Sequence, residues 1–315
     1  MEKEKNQKKN KPDLRLQDYI HESPFQDPAV CLIGFPSDQG VKINNGRPGA
    51  SKAPDLIYEQ LLKLTPHAGH FEKHTNLLFK TTGLEEIVCT DNVEDDQERL
   101  GDHIAKVFGK FSIPVIIAGG HETSFGHFLG YAKAGKSATI LNIDAHADVR
   151  PLKDGQAHSG SPFFQALEHS SGLCKSYTVF GLNPASVAKE HIDYVNKNGN
   201  ADFEENLSLK PVQKFLKKNS GNNILATMDM DVVRQADAPG VSAPNSSGIS
   251  KKLWLEIAFE LGKTPAVTSF DLCEVNPEYD RDQQTVKLAA LTIWYFLLGV
   301  ALRSRAQGSG SKAQG

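Results

Sequence analysis

Three short stretches of the sequence place acids and histidines where they could hold cations. Gly119-Gly120-His121-Glu122 follows the apolar run Ile116-Ile117-Ala118. Asp144-Ala145-His146-Ala147-Asp148 follows Ile140-Leu141-Asn142-Ile143, and Asp229-Met230-Asp231 follows Ile224-Leu225-Ala226-Thr227-Met228. Carboxylates set directly after buried apolar strands are costly unless they are paired or bind a cation. The i, i+2, i+4 spacing of Asp144, His146 and Asp148 starts on one face of a strand and can curl around a point. Asp229 and Asp231 can do the same from a neighbouring strand. Hard oxygen ligands with some imidazole suit Mn2+, and less specifically Fe2+, Co2+, Ni2+ or Zn2+. Two cations sharing bridging carboxylates would use all six groups (His121, Asp144, His146, Asp148, Asp229 and Asp231) and leave room for a hydroxide between them. Such a pair lowers the pKa of bound water and stabilises oxyanions. Each residue alone has a plainer reading, since a strand-end Asp usually caps the next helix and a lone His is usually a hydrogen-bonded core residue. Co-occurrence at three strand ends favours the metal.

These residues need a sheet whose strand ends lie together. The pattern predicts strands at 30–35, 77–82, 113–118, 138–143, 176–181, 223–230 and 266–271, several of them apolar on both alternating positions, which suits strands covered on both faces. It predicts helices near 51–64, 93–110, 124–133, 185–197, 208–219, 250–262 and 283–303. Alternating βα units imply a doubly wound, mainly parallel sheet, and such sheets gather ligands at the carboxyl ends of their strands. Gly130-Tyr131-Ala132-Lys133-Ala134-Gly135-Lys136-Ser137 spells a phosphate-loop pattern. It ends a helix and enters a strand, the reverse of the order that pattern needs, and is rejected. His67, His70, His74 and His103 lie in polar stretches with no carboxylate strand end beside them, so the surface is their default.

The chain has 315 residues, a formal charge of −3 and 23% charged residues, which excludes a disordered chain and a globally basic nucleic-acid binder. Its four cysteines, Cys31, Cys89, Cys174 and Cys273, are scattered with no paired motif, which points to a reducing, cytoplasmic setting rather than a disulfide or zinc framework. The charged start (1–12) reads as a disordered arm, and 306–315, rich in Gly and Ser, as a flexible tail. Between them no long linker or repeat interrupts a single domain, 13–305. The apolar stretch 288–302 is too short to span a bilayer and reads as a buried helix, so no membrane partner is expected. Asn206-Leu207-Ser208 and Asn245-Ser246-Ser247 match a glycosylation pattern that a cytosolic chain would not use.

With these motifs together, the sequence closely resembles the ureohydrolase family: arginases, agmatinases and formimidoylglutamases. The likeness runs from about Val30 to Leu302. The family's first metal histidine matches His121, its central metal motif Asp144/His146/Asp148, and its last metal motif Asp229/Asp231. Its substrate-binding glutamate matches Glu274 in Phe270-Asp271-Leu272-Cys273-Glu274-Val275-Asn276-Pro277, and its proton-relay histidine matches His158 in His158-Ser159-Gly160-Ser161-Pro162. The resemblance implies a three-layer α/β/α arginase-like fold with a mainly parallel sheet of about eight strands. It also implies two Mn2+ per subunit and a homo-oligomer. Glu122 after His121, Val149-Arg150 after the central motif, the 44–50 loop with Arg47, the stretch 238–244 and Asp280-Arg281-Asp282 resemble the formimidoylglutamase branch.

The implied reaction is hydrolysis of N-formimidoyl-L-glutamate to L-glutamate and formamide, a step of histidine degradation, by hydroxide held between the two metals. Formimidoylglutamate has an amidine head and two carboxylates, whereas agmatine has a cationic tail and none. A pocket for the first needs fixed cations beside the metals, and Arg binds carboxylates in a bidentate manner. Arg150, two residues after a ligand Asp, must lie near the site, unless it pairs with a structural carboxylate. Arg47 is balanced between substrate contact and a loop salt bridge. Glu274 would hold the amidinium, Asp148 would carry the proton to the departing amine, and His158 would relay it to solvent or merely brace its loop. The rivals are another ureohydrolase acting on agmatine, arginine or a guanidino acid, and a catalytically silent metal-binding homologue.

Overall fold

The computed structural model describes residues 13–21 and 28–303, so the expected N-terminal arm and C-terminal tail lie outside the described residues. Eight parallel strands form one sheet in the order β2-β1-β3-β8-β7-β4-β5-β6. They are β1 (Val30–Phe35), β2 (Thr81–Glu86), β3 (Ile113–Ala118), β4 (Ala138–Ile143), β5 (Cys174–Leu182), β6 (Gly199–Phe203), β7 (Ile224–Asp229) and β8 (Val267–Cys273). The helices are α1 (Gln39–Ile43), α2 (Ala53–Leu62), α3 (Phe71–Leu78), α4 (Val93–Gly109), α5 (Thr123–Lys133), α6 (Pro162–Leu167), α7 (Lys189–Asn198), α8 (Leu209–Lys218), α9 (Lys251–Lys263) and α10 (Gln284–Ala301).

Alternation along the strands feeds two cores. Val115, Ile117, Leu141, Ile143, Ala226 and Met228 point to one face, where they meet Ile57 and Leu61 of α2, Trp254 and Ile257 of α9, and the apolar side of α10. Ile116, Ala118, Ile140 and Leu225 point to the other, against Leu100 and Ile104 of α4 and Phe128 of α5. Each fully buried Ile, Leu or Val contributes roughly 1.5–3 kcal/mol relative to leaving it exposed. That burial on both faces is what the near-continuous apolar strands record. The three-layer α/β/α reading therefore holds.

Local signals set several boundaries. The Asn92 side chain accepts from Asp95 N–H at 2.9 Å and starts α4, and Ser250 accepts from Leu253 N–H at 3.3 Å and starts α9. The Asp280 carboxylate accepts from Thr285 and Val286 N–H and anchors the first turn of α10. Helix α10, apolar enough by composition to cross a membrane, is instead mostly buried among α2, α3 and α9.

Two sequence expectations need correction. The strand expected at 77–82 lies further along the chain, and only Thr81 and Thr82 of that range join it. Leu77 and Leu78 end α3, whose Thr75 and Leu78 pack inward, and the strand begins at Thr81. The edge strand β6, Gly-Asn-Ala-Asp-Phe, is short, offers only Ala201 and Phe203 to the core and is exposed at its start, so pattern reading passes over it.

Candidate metal centre

The sheet order explains why residues far apart in sequence meet. Strands β3, β8, β7 and β4 are consecutive neighbours, and their carboxyl ends deliver His121, Glu274, Asp229/Asp231 and Asp144/His146/Asp148 respectively. Chain order leaves a gap between β3 and β4, later filled by β7 and β8, and such a switch point opens a crevice at the strand ends.

All six sequence-predicted ligand residues converge there, in two groups. His121 Nδ1 lies 3.2 Å from Asp144 Oδ2, 3.0 Å from Asp148 Oδ2 and 3.0 Å from Asp229 Oδ2. His146 Nδ1 lies 3.0 Å from Asp231 Oδ2 and 3.6 Å from Asp144 Oδ1. In each group the potential ligand atoms lie within 4.8 Å of one another, and Asp144 belongs to both. Local geometry aims these carboxylates: Asp144 Oδ1 accepts from His146 N–H at 2.6 Å, and Asp229 Oδ1 from Asp231 N–H at 2.8 Å.

The donor set fits cations. His121 Nδ1 and Asp231 Oδ1 are buried without a hydrogen-bond partner. Burial, then repulsion from Asp231 and Asp144, pushes the Asp229 carboxyl well above the usual carboxylate range. The charge of Asp231 draws His146 well above the usual imidazole range. A group of anions that the protein's own groups leave frustrated is what divalent cations relieve. Asp148 and Glu274 hold left-handed backbone, with φ of 46° and 65°, a conformation non-glycine residues adopt at a cost and commonly at functional sites.

Glu274 is buried, and its Oε1 accepts from His121 N–H at 2.8 Å. Burial and then nearby Asp231 push its carboxyl up to about 7. Glu122 is likewise buried, pushed up to about 8 by burial and then Glu274, and its Oε1 accepts from Gly40 N–H at 2.9 Å.

A cavity of about 260 Å³ opens beside the centre, lined by His146, Asp148, Arg150, Ser186, Val187 and His191 among others. Arg150 is thus brought to the site. Among the described residues no carboxylate lies within ion-pair distance of its guanidinium. Arg47 is placed elsewhere: it is exposed, stacks over the Tyr279 ring at 5.0 Å, and its carbonyl accepts from Asn276 Nδ2. His158 is buried, with Nε2 3.0 Å from the Pro151 carbonyl and Nδ1 accepting from Gly160 N–H at 3.1 Å. Burial lowers its pKa. Both ring nitrogens therefore brace the 151–160 loop.

Some neighbours escaped sequence reading. Ser186, Val187 and His191 line the cavity from the loop and helix after β5; the strand-end rule, applied to β5, would have pointed there. His127, Ser124, Thr227 and Asp271 lie buried beneath the centre, and only the i, i+2 pairing of Ser269 and Asp271 hinted at a shared face. His74 corrects a surface expectation. It is fully buried, edge-on to the Trp294 ring at 5.3 Å.

Comparisons with known proteins identify the family and the fold. A profile of the arginase family matches residues 28–299. The formimidoylglutamase of Geobacillus sp. (strain WCH70) is 33% identical over 305 residues, covering 93% of this chain and 90% of the relative. That of Lysinibacillus sphaericus (strain C3-41) is 32% identical, covering 90% and 91%. A Trypanosoma cruzi formiminoglutamase solved with Mn2+ superposes with a TM-score of 0.82 at 29% identity, covering 93% of this chain and all of that one. With the profile match over most of its length and an eight-stranded parallel sheet, the chain belongs to the arginase family.

Proposed function

We propose that this protein is a manganese-dependent formimidoylglutamase that hydrolyses the C–N bond of N-formimidoyl-L-glutamate to L-glutamate and formamide. One observation carries the substrate choice: Arg150, without a carboxylate partner among the described residues, lines the same cavity as His146 and Asp148. An unpaired guanidinium there suits a substrate carboxylate and opposes the cationic tail of agmatine.

His121, Asp144, Asp148 and Asp229 would hold one Mn2+, and Asp144, His146 and Asp231 the other, with Asp144 common to both groups. Bound there, the pair supplies a water of lowered pKa and positive charge opposite the developing oxyanion. Glu274 orients the amidinium by charge-assisted hydrogen bonds, and the cationic head in turn favours its ionised form. Asp148, at the rim of the cavity, takes the proton and delivers it to the departing amine. His158 relays a proton onward only if its bond to the Pro151 carbonyl opens. Arg47, stacked on Tyr279 and absent from the lining of this cavity, takes no part in this reading.

Residues 13–305 are taken as one domain, on the continuity of the sheet from β2 to β6. A cytoplasmic setting fits the four free cysteines, and assembly of several copies rests on the family resemblance. The test is reconstitution with Mn2+ and assay on formimidoylglutamate, arginine, agmatine and guanidinobutyrate. Preference for formimidoylglutamate that collapses in Arg150→Ala, mostly through KM, supports the proposal. Preference for agmatine overturns it, and no turnover on any substrate with metal bound marks a silent homologue.

A further inference from the structure

Under the centre, on the α5 face of the sheet, buried polar side chains form one continuous hydrogen-bonded chain. His121 Nε2 lies 3.0 Å from Thr227 Oγ1, and Thr227 Oγ1 lies 2.6 Å from Asp271 Oδ1. The Ser124 hydroxyl lies 3.3 and 3.2 Å from the two Asp271 oxygens. Beyond the carboxylate, His127 Nδ1 is 2.6 Å from Asp271 Oδ2, and His127 Nε2 is 2.6 Å from Ser269 Oγ. The Tyr131 hydroxyl meets both Ser269 and Thr268. Asp271, His127, Thr227 and Ser269 are fully buried, and His121 nearly so.

With Asp271 ionised, the branch from Asp271 to His121 has one consistent direction. An ionised carboxylate accepts and cannot donate, so Thr227 gives its hydroxyl hydrogen to Asp271. Thr227 Oγ1 is then left only its lone pairs toward His121, and His121 Nε2 must carry the ring proton. That leaves the lone pair of His121 on Nδ1, the atom facing Asp144, Asp148 and Asp229. On the other side His127 donates from Nδ1 to Asp271, and its Nε2 lies against Ser269. The two branches converge on one anion, and neither runs if Asp271 becomes a donor.

We propose that Asp271 is a positioning residue that acts through Thr227 to fix the tautomer and ring orientation of His121, with His127 holding Asp271 in place. The proposal rests on the metal-centre reading. Partners of this kind, one bond removed from a ligating histidine, change metal affinity by about 10–100-fold when removed. The alternative is that the chain only ties β7 and β8 to α5.

The test titrates Mn2+ into the full, metal-stripped protein against a competing chelator and follows the visible spectrum of bound Co2+. Thr227→Val keeps the shape of the side chain and removes the hydroxyl, whereas Thr227→Ser restores it. Asp271→Asn keeps the shape but removes the charge, so no anion any longer fixes the direction of the Thr227 hydroxyl. Asp271→Asn and Thr227→Val are expected to weaken one Mn2+ by about 10–100-fold and leave the other at wild-type affinity. Thr227→Ser should bind both ions, with a wild-type Co2+ spectrum. If Asp271→Asn fails to fold, the two Thr227 variants decide, with metal-free thermal unfolding reporting the structural cost. Unchanged binding of both ions in Thr227→Val, or equal weakening of both, overturns the proposal. Failure of the wild type to bind two ions would overturn the metal-centre reading instead.

Discussion

The Arg150 guanidinium lies directly over Gly160: a Cβ on Gly160 would stand 2.0 Å from Nη2 and 2.5 Å from Cζ. Arg150 N–H also donates to the Gly160 carbonyl at 2.9 Å, so the two backbones are clamped and only the side chain can yield. Glycine at 160 therefore sets where the guanidinium sits in the cavity, without touching substrate.

Gly160→Ala should displace Arg150 without unfolding the protein. The clash falls on the flexible end of a long side chain, so the change in stability should stay within ~1 kcal/mol. Catalysis should suffer more, because a misplacement of about 1 Å can cost on the order of 100-fold. Kinetics on formimidoylglutamate should show the loss mainly in KM. Free formamidine, which has no carboxylate, should be hydrolysed as the wild type does. An equal loss on both compounds would remove Arg150 from substrate recognition.

Sharing of Asp144 between the two ligand groups gives a counting experiment. Asp144→Asn should abolish binding of both ions, whereas Asp148→Asn and Asp231→Asn should each weaken mainly one, because each belongs to a single group. Metal per chain, measured after dialysis against limiting Mn2+, separates these outcomes. Removing a crowded carboxylate also relieves repulsion among buried anions, so Asp229→Asn should raise thermal stability in chelator while lowering it in Mn2+. A fall in both conditions would mean that the acids serve the fold itself.

The ligands were legible because their cost was legible. Asp144, Asp148, Asp229 and Asp231 stand at the ends of apolar strands, where an acid needs a reason, and their spacing of two keeps them on one side. Residues that act through others left weaker marks. Asp271 sits inside a strand, and Ser124 and His127 lie on the buried face of α5, where small polar residues are ordinary; only the fold brings them to one carboxylate. Strand β6 is hard to read because a five-residue edge strand with two apolar residues gives too short a pattern. His74 was misplaced because a polar-looking helix can bury one face against α10. The role of His158 divides the same way: its motif suggests a relay, and its ring nitrogens bind the loop.

Packing of α9 on α10 rests on close backbone approach at two glycines. A Cβ at Gly262 would lie 2.1 Å from the Phe296 carbonyl oxygen, and one at Gly299 would lie 2.4 Å from that of Phe259. Backbone cannot swing aside as a side chain can, so the helices must separate, and overpacking of this kind costs typically 1–3 kcal/mol. Denaturant unfolding of Gly262→Ala and Gly299→Ala should show that loss, with metal affinity retained because neither residue approaches the strand ends. Wild-type stability in both would mean that the contact is looser than its geometry.

His74 should make the fold acid-sensitive independently of the metals. Burial, and then His67, lower its pKa to about 4 from the usual 6.5. Its Nδ1 accepts from His67 N–H at 3.1 Å, so the neutral ring is the one the fold holds. Above pH 6.5 the ring is neutral in both the folded and unfolded chain and contributes no slope. As pH falls from 6.5 towards 4, the unfolded chain takes up a proton that the folded one refuses. Stability is then lost at up to about 1.4 kcal/mol per pH unit, to about 3 kcal/mol in all. Below pH 4 both states are protonated and the loss levels off. His74→Phe, which keeps an aromatic ring against Trp294, should be free of this term. Urea unfolding of both proteins in chelator, from pH 7 to pH 4, should show the variant gaining on the wild type through that window. Parallel curves would mean that His74 meets solvent or a counter-charge when protonated.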